Sequence, residues 1–407
     1  MHSIRRGTTL KKNPNSPLLR ILVAVAPLLM FSGHGAVAGG ADPQWRQAPL
    51  LFAGFAFSGD EKNERALYPY SAELSAETSG QFLNDTLKKK LMSRASLADR
   101  VSAGLSDGKT DVTSIAFALV QENHETQMVD GRYWGIVTLQ ADVLAFNESS
   151  HSVVASYPIR TRLAHVKNAP FTDADFRAMT REAYTSDDPG ANIFDLWLNR
   201  FEKIQIRPGA VRRLRVTDIT ITPEAERVLR EAGKSTPAIR NQVANFLEAA
   251  VAEGAGISLV PQSVGAAIGN NMSLLFADGK SSDLVLPPAD FALTFAIRDF
   301  VSTTLDQPQY FQDVFRVKGT IALKETETAH VYLDENIYDT LIVTRPKRAD
   351  VRLSQWDQYF KVLQELIFTV GREMNTVDES WLKQNASRAL EAKAGFIQSR
   401  DLLAKLR

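Results

Sequence analysis

The sequence predicts a mixed α/β fold of the α+β kind. Two related modules each run strand, helix, antiparallel β-meander and packing helix, and a C-terminal helical tail follows. Three observations predict it. The tripeptide Asp107-Gly108-Lys109 recurs as Asp278-Gly279-Lys280. Apolar words around the two copies match in order: Leu50, Phe52 and Phe57 with Leu214, Val216 and Ile221; Phe82-Leu83 with Phe246-Leu247; Ala116-Phe117-Ala118-Leu119 with Asp290-Phe291-Ala292-Leu293; Gly135-Ile136-Val137-Thr138-Leu139 with Gly319-Thr320-Ile321-Ala322-Leu323. The offset grows from about 164 to about 184 residues, as a doubled unit with loop insertions in its second copy would give. Chance likeness among β-rich segments is the competing explanation.

Taken in order, Pro49 to Ser58 is a Phe-rich apolar run suited to a buried strand, and Ser79 to Val101 carries Phe82, Leu83, Leu87, Leu91 and Leu97 at helical spacing. Val112 to Glu122 reads as a strand. Arg132 to Phe146 alternates with Tyr133, Gly135, Val137, Leu139 and Ala141 on one face, and Asn147-Glu148-Ser149-Ser150 turns the chain into a partner strand, Ser152 to Leu163. Two helices, Thr172 to Tyr184 and Asn192 to Lys203, flank the turn signal Ser186-Asp187-Asp188-Pro189-Gly190, and the second presents the stripe Phe194, Trp197, Leu198, Phe201 for packing on the sheet.

The second half opens with an alternating strand, Leu214 to Ile221, followed by Thr222-Pro223-Glu224, a cap and helix start. Pro237 to Val251 continues helical, Ile257 to Pro261 is a short strand, and Gln262 to Phe276 is a Gly-interrupted apolar stretch suited to a helix. Phe291 to Ser302, Val314 to Lys324 and Val331 to Thr344 make a second meander. A helix with Trp356, Phe360, Leu363, Ile367 and Val370 follows, and then one further helix, Val377 to Leu406, marked by Trp381, Leu390, Phe396 and Leu403. The predicted organisation is a signal peptide over 1–38, a first module over 39–210, a second over 211–350 and C-terminal helices over 351–407.

The signal assignment rests on Arg5, Arg6, Lys11, Lys12 and Arg20, then an uncharged run from Ile21 to Phe31, then Ala36-Val37-Ala38 as a cleavage site. The run is too short to span a bilayer and contains Pro27, and no later segment is long and apolar enough. Gly7-Thr8-Thr9 after Arg5-Arg6 favours the general secretory route over twin-arginine export. The expected location is the periplasm, with no membrane span in the mature chain and peripheral envelope association left open. The chain contains no cysteine, which excludes disulfides, thiol catalysis, thiolate metal sites and lipid attachment at an N-terminal cysteine. Lys plus Arg and Asp plus Glu both number 47, so loss of the signal's five bases leaves the mature chain mildly acidic. That argues against nucleic acid as a partner.

Strand Leu214 to Ile221, a helix, Gly256-Ile257-Ser258-Leu259-Val260-Pro261 and Leu286-Pro287-Pro288-Ala289-Asp290-Phe291-Ala292-Leu293-Thr294-Phe295-Ala296-Ile297 come in the order strand, helix, strand, strand, then meander. The arrangement resembles the small α/β modules of bacterial envelope accessory proteins, of the curli secretion factor, flagellar outer-membrane ring protein and Tol-system amino-terminal domain type. The resemblance covers roughly 212 to 345 and, more faintly, 50 to 165. It implies an assembly or scaffolding role and carries over no site residues. The chain departs from such relatives in lacking the lipid-attachment cysteine and obvious membrane-crossing hairpins.

No constellation rises to a reaction mechanism, so no catalytic, cofactor-binding or metal residue is assigned and no cofactor is expected. Ser106-Asp107-Gly108-Lys109 satisfies S-x-x-K, yet Ala277 stands in the Ser position of the other copy, the companion motifs of acyl transfer are missing, and Asp-Gly is ordinary turn chemistry. Glu122, His124, Glu125 and Asp130 cluster, but on an extended strand Glu122 and His124 share a face while Glu125 points away. His151, His165 and His330 read as surface residues near strand ends, and Gly265, Gly269 and Gly279 form no nucleotide motif. The sequence leans away from an enzyme and toward a non-enzymatic accessory or scaffold protein with an envelope protein as partner, of unassigned oligomeric state. Exposed strand edges and the C-terminal helix are the contacts it would use. The alternatives are an envelope hydrolase with carboxylates such as Asp60, Glu61, Glu122 and Asp130 between the modules, or a protein that captures a small ligand there.

Overall fold

The computed structural model describes residues 50–59, 64–102, 112–129, 132–204, 206, 212–262, 271–347 and 354–407. The signal segment, Asp60, Glu61, the tetrapeptide 106–109, Asp130, Gly265 and Gly269 lie outside them. The first half runs β1 (Leu50–Ser58), α1 (Glu64–Leu67), α2 (Pro69–Gly80), α3 (Phe82–Met92), α4 (Ala95–Ala98), β2 (Val101–Ser102), β3 (Thr113–Val129), β4 (Arg132–Asn147), β5 (Ser152–Lys167), α5 (Asp173–Thr185) and α6 (Ile193–Lys203). The second runs β6 (Leu214–Ile221), α7 (Pro223–Glu231), α8 (Thr236–Ala255), β7 (Leu259–Val260), β8 (Asn271–Phe276), β9 (Ser281–Val285), β10 (Phe291–Asp306), β11 (Tyr310–Glu325), β12 (Val331–Pro346), α9 (Gln355–Thr376), α10 (Glu379–Asn385) and α11 (Ala389–Lys405).

The mixed α/β class and the C-terminal helices are as expected. Strands β3–β5 and β10–β12 are antiparallel meanders, and in each half the opening strand lies parallel to the first meander strand, β1 on β3 and β6 on β10. All belong to one sheet of order β12-β11-β10-β6-β7-β5-β4-β3-β1-β8-β9. Single extra residues interrupt the ladders at corresponding places: Ala53 in β1 and Thr217 in β6, Val120 in β3 and Arg298 in β10, Val154 in β5 and Tyr332 in β12. The two meander bulges share one separation, 178 residues (120 to 298, 154 to 332). A bulge is a designed bend rather than slack.

Alternation sorts the first half's strands between two cores. Phe55, Phe57, Phe117, Leu119, Val137, Leu139 and Ala141 face the helices, where Trp197, Phe194 and Phe201 of α6 are fully buried. The stripe on α6 therefore packs on the sheet as expected, each large side chain contributing about 2 kcal/mol of transfer free energy. Thr172 and Asp175 form a capping box on α5, and Asn192 caps α6 through the amides of Phe194 and Asp195. Ala56, Ala116, Ala118, Leu144 and Phe146 face the other way, onto Met272, Leu274 and Leu284 of the β8–β9 hairpin. That hairpin pairs with β1 and, through Val285, with β5, so the path β5-β4-β3-β1-β8-β9 returns to β5. A second-half hairpin thus closes the first-half sheet into a ring, and small alanines leave room for its filling.

Several expectations change here. Asn271–Phe276 is a strand and not part of a helix, and Asp278-Gly279-Lys280 is the turn of the β8–β9 hairpin, between two strands rather than helix and strand, with Gly279 at φ +83°. The final helix is two, because Ala386 bridges to Ile337 and Ser387 N donates to Asn336 O of β12. Leu390 is 86% exposed, while Phe396, Leu402 and Leu403 of α11 bury against the second core. Helices α8 and α9 cross closely at Gly254 and Gly371: a Cβ on Gly371 would meet Ala250 Cβ at 2.5 Å and its carbonyl carbon at 2.6 Å.

Candidate functional site

Two buried polar clusters hold the chemistry-bearing residues. The first grows from β3. Glu122 and His124 share a face, as alternation requires. Glu122 is buried and its two carboxylate oxygens accept from Tyr70 N and Ser71 N, each at 2.9 Å. Those amides belong to the first turn of α2, which begins with Pro69 and receives no side-chain cap from its own N-cap, Tyr68. A carboxylate from a distant strand therefore supplies the cap and complements the positive helix end.

Around it, His124 Nε2 lies 3.2 Å from Glu122 Oε1 and 3.4 Å from Thr180 Oγ1, and the imidazole packs edge-on to Tyr70 at 4.5 Å between centroids. Ser71 Oγ and Tyr184 OH share a hydrogen bond of 2.8 Å, and Tyr68 OH donates to Ser58 O at 2.7 Å. Burial drives the Tyr68 and Tyr184 hydroxyls well above the ordinary range, and burial with a hydrogen bond to Asp173 pushes Tyr70 up to about 12. All three phenols stay protonated. The arrangement ties α2 and α5 to β3, and Ser71, fully buried, offers no surface to a substrate. Glu125 points away, toward Arg162, Lys234 and Asp357, and burial raises its carboxyl.

The second cluster lies where α8 covers β3 and β4. Gln140 Nε2 donates to Asn245 O at 2.8 Å and Asn245 Nδ2 to Gln121 Oε1 at 3.2 Å. Asp142, two residues along β4 from Gln140, and Glu248 on α8 are 3% and 5% exposed. Burial pushes the Asp142 carboxyl up to about 7, against the Ser156 hydroxyl. Burial and the neighbouring Asp142 raise Glu248 well above its usual range, opposed by the amide of Gln262 at 2.8 Å and by Arg215. Among the described residues Gln140 Oε1 is buried without a hydrogen-bond partner. These two acids were not among the sequence candidates. Their signal was available: a lone carboxyl in Leu139-Gln140-Ala141-Asp142-Val143-Leu144, and another in Phe246-Leu247-Glu248-Ala249-Ala250.

The remaining sequence residues scatter. His151 sits at a hairpin turn with φ +48°, His165 pairs with Glu182 at 3.1 Å on the surface, and His330 lies edge-on to Tyr332. Among the described residues no three His, Asp or Glu gather as a metal site, and no helix is long and apolar enough to cross a membrane. An open cavity of about 310 Å³ at the start of α9 is lined by Glu231, Lys234, Trp356, Asp357 and Tyr359.

No family model and no curated protein matches the chain. Among solved structures it is similar to a Xanthomonas campestris protein of the DUF330 family, at 13% identity over 41% of this chain and 85% of that one, with a TM-score of 0.19. It is also similar to a minor lipoprotein of Acinetobacter baumannii, at 9% identity over 41% of this chain and 90% of that one, with a TM-score of 0.20. At those scores neither likeness carries an argument about function.

Proposed function

We propose that this chain is a periplasmic accessory protein acting through protein contacts in the assembly or maintenance of the cell envelope. The signal pattern ending at Ala38 supports the address. The observation that carries the mode of action is the use made of Glu122: both its oxygens hold the first turn of α2, so the one of the four candidate carboxylates that the structure describes serves the scaffold. The halves 39–210 and 211–350 are read as two copies of one unit with 351–407 added, a reading supported by the recurring bulges and the parallel β1–β3 and β6–β10 pairs.

Cell fractionation with N-terminal sequencing tests the address. The expected product is periplasmic and begins at Gly39; a cytoplasmic chain retaining Met1 refutes it. Crosslinking in the intact envelope should then recover one defined protein complex, and recovery of nothing above background refutes the contact role. A small-ligand role has one observation in its favour, the cavity beside Trp356 and Lys234, and a change in tryptophan fluorescence on titration with envelope extracts would report it.

A further inference from the structure

Among the described residues the ring closure leaves β12 as the outermost strand at the open end of the sheet, while β9 at the other end returns to β5. The first part of the β12 edge is already used, because Ser387 N donates to Asn336 O and Ala386 bridges Ile337. In an antiparallel ladder the amide and carbonyl of one residue point to the same side, and successive residues alternate. Asn336 O points outward, so Tyr338, Thr340, Ile342 and Thr344 point outward too. On the inner side Lys347 N donates to Gln309 O, which agrees with the odd-numbered residues bonding to β11. Between Asp339 and Arg345 this edge reads Thr-Leu-Ile-Val-Thr, without charge, proline or bulge, the devices that protect edges from pairing. Ile342 is 59% exposed.

We propose that this edge pairs with the same edge of a second copy, antiparallel and centred on Ile342. The segment Tyr338 to Pro346 is complementary to itself in that register. Asp339 falls opposite Arg345, Thr340 opposite Thr344, Leu341 opposite Val343, and Ile342 opposite its own mate, with the charge pair repeated at both ends of the two-fold axis. Residues opposite each other share a face, so the match holds on both sides of the sheet. Leu341 and Val343 pack against the second core and continue it across the axis, while the Thr and Ile residues meet on the outer side. The outward-pointing groups of Ile342 and Thr344 and the Thr340 carbonyl fall into register as hydrogen-bonded pairs, and Thr340 N, now held by Asp339 Oδ1, joins them when Asp339 turns to the partner's Arg345. Asp339 has most to gain: it is half-buried, accepts from Thr340 N and feels the charge of Glu365, another acid, so the partner's guanidinium brings the cation its site lacks. Arg345 Nε already holds Asp313 at 2.6 Å, and the guanidinium carries further donors for a second carboxylate.

The pairing gives the protein-contact reading its partner, a second copy, and rests on that reading for its biological use. A strand pair is a small interface, so the association is expected in the micromolar range. The test uses the purified full chain, whose lack of cysteine makes any introduced thiol unique. Light scattering should give twice the chain mass at tens of micromolar, and Ile342→Cys should form a covalent dimer under mild oxidant. Leu390→Cys, at a more exposed position, should not. Ile342→Lys should be a folded monomer, and Asp339→Lys should weaken association about tenfold. A native chain of single mass overturns the proposal. So does a dimer that persists in Ile342→Lys, or equal cross-linking at Leu390→Cys. Failure here leaves the envelope reading standing, because that reading is judged on cell fractions and not on the mass of the purified chain.

Discussion

Replacing Asp142 by asparagine should make the fold more stable in alkaline solution and flatten its dependence on pH. An unfolded aspartate titrates near 3.8, and burial moves this one to about 7. Below pH 3.8 both states hold the proton and the site is neutral to stability. Between the two values the unfolded chain ionises while the folded one keeps its proton, so stability falls as pH rises, and above about 7 the loss is complete. About three pH units at about 1.36 kcal/mol each put that loss at about 4 kcal/mol. For a chain of this length it corresponds to about 5 °C in Tm. Thermal unfolding from about pH 3.5 to about pH 8 would measure it. Glu248 acts in the same direction, so Glu248→Gln and the double variant separate the two. Identical pH profiles for the native chain and Asp142→Asn would refute the reasoning.

Other expectations follow from the packing. Glu122→Ala leaves the Tyr70 and Ser71 amides without acceptors and should cost about 2–4 kcal/mol, seen as a lower urea midpoint and faster hydrogen exchange at those two amides; unchanged exchange would show that α2 does not depend on the cap. Gly371→Ala drives a methyl into Ala250 and should cost about 2–3 kcal/mol in chemical unfolding, whereas Gly233→Ala, whose methyl meets nothing but whose φ is +66°, should cost only about 1 kcal/mol. Trp197→Ala empties the space among Phe52, Phe117 and Phe201 and should cost about 3–5 kcal/mol.

The strands were legible because their signal is local. Alternation in β4 and the Asn147 turn placed the meander, and the Phe-rich run of β1 read as buried because it is covered twice, by helices on its Phe side and by the hairpin on its Ala side. Helix α2 was not legible. Its sequence, Pro-Tyr-Ser-Ala-Glu-Leu-Ser-Ala-Glu-Thr-Ser-Gly, has little amphipathic period, and its cap comes from Glu122, which sequence inspection has no means of attaching to Tyr70. The β8 strand was mistaken for helix because six residues of mixed apolar character do not distinguish the periods. The Asp278-Gly279 pair was read as a turn and as a repeat marker, without the hairpin that it closes. Of the site, alternation gave the shared face of Glu122 and His124 and the divergence of Glu125. The Asp142–Glu248 pair needed the fold, since the two acids come together only when α8 lies across β4.

The hairpin that completes the first-half ring also sets a timetable for folding. Ser58 waits for Leu274 and His151 for Val285, so the earlier half, emerging first from synthesis, holds an unpaired edge and an uncovered apolar face until residues 271–285 have followed. Such late, long-range closure is slow and leaves strands open to wrong neighbours. A truncated chain ending near residue 210 should accordingly be insoluble unless a holding factor occupies that edge, and the protein's yield should depend on how quickly the β8–β9 hairpin arrives.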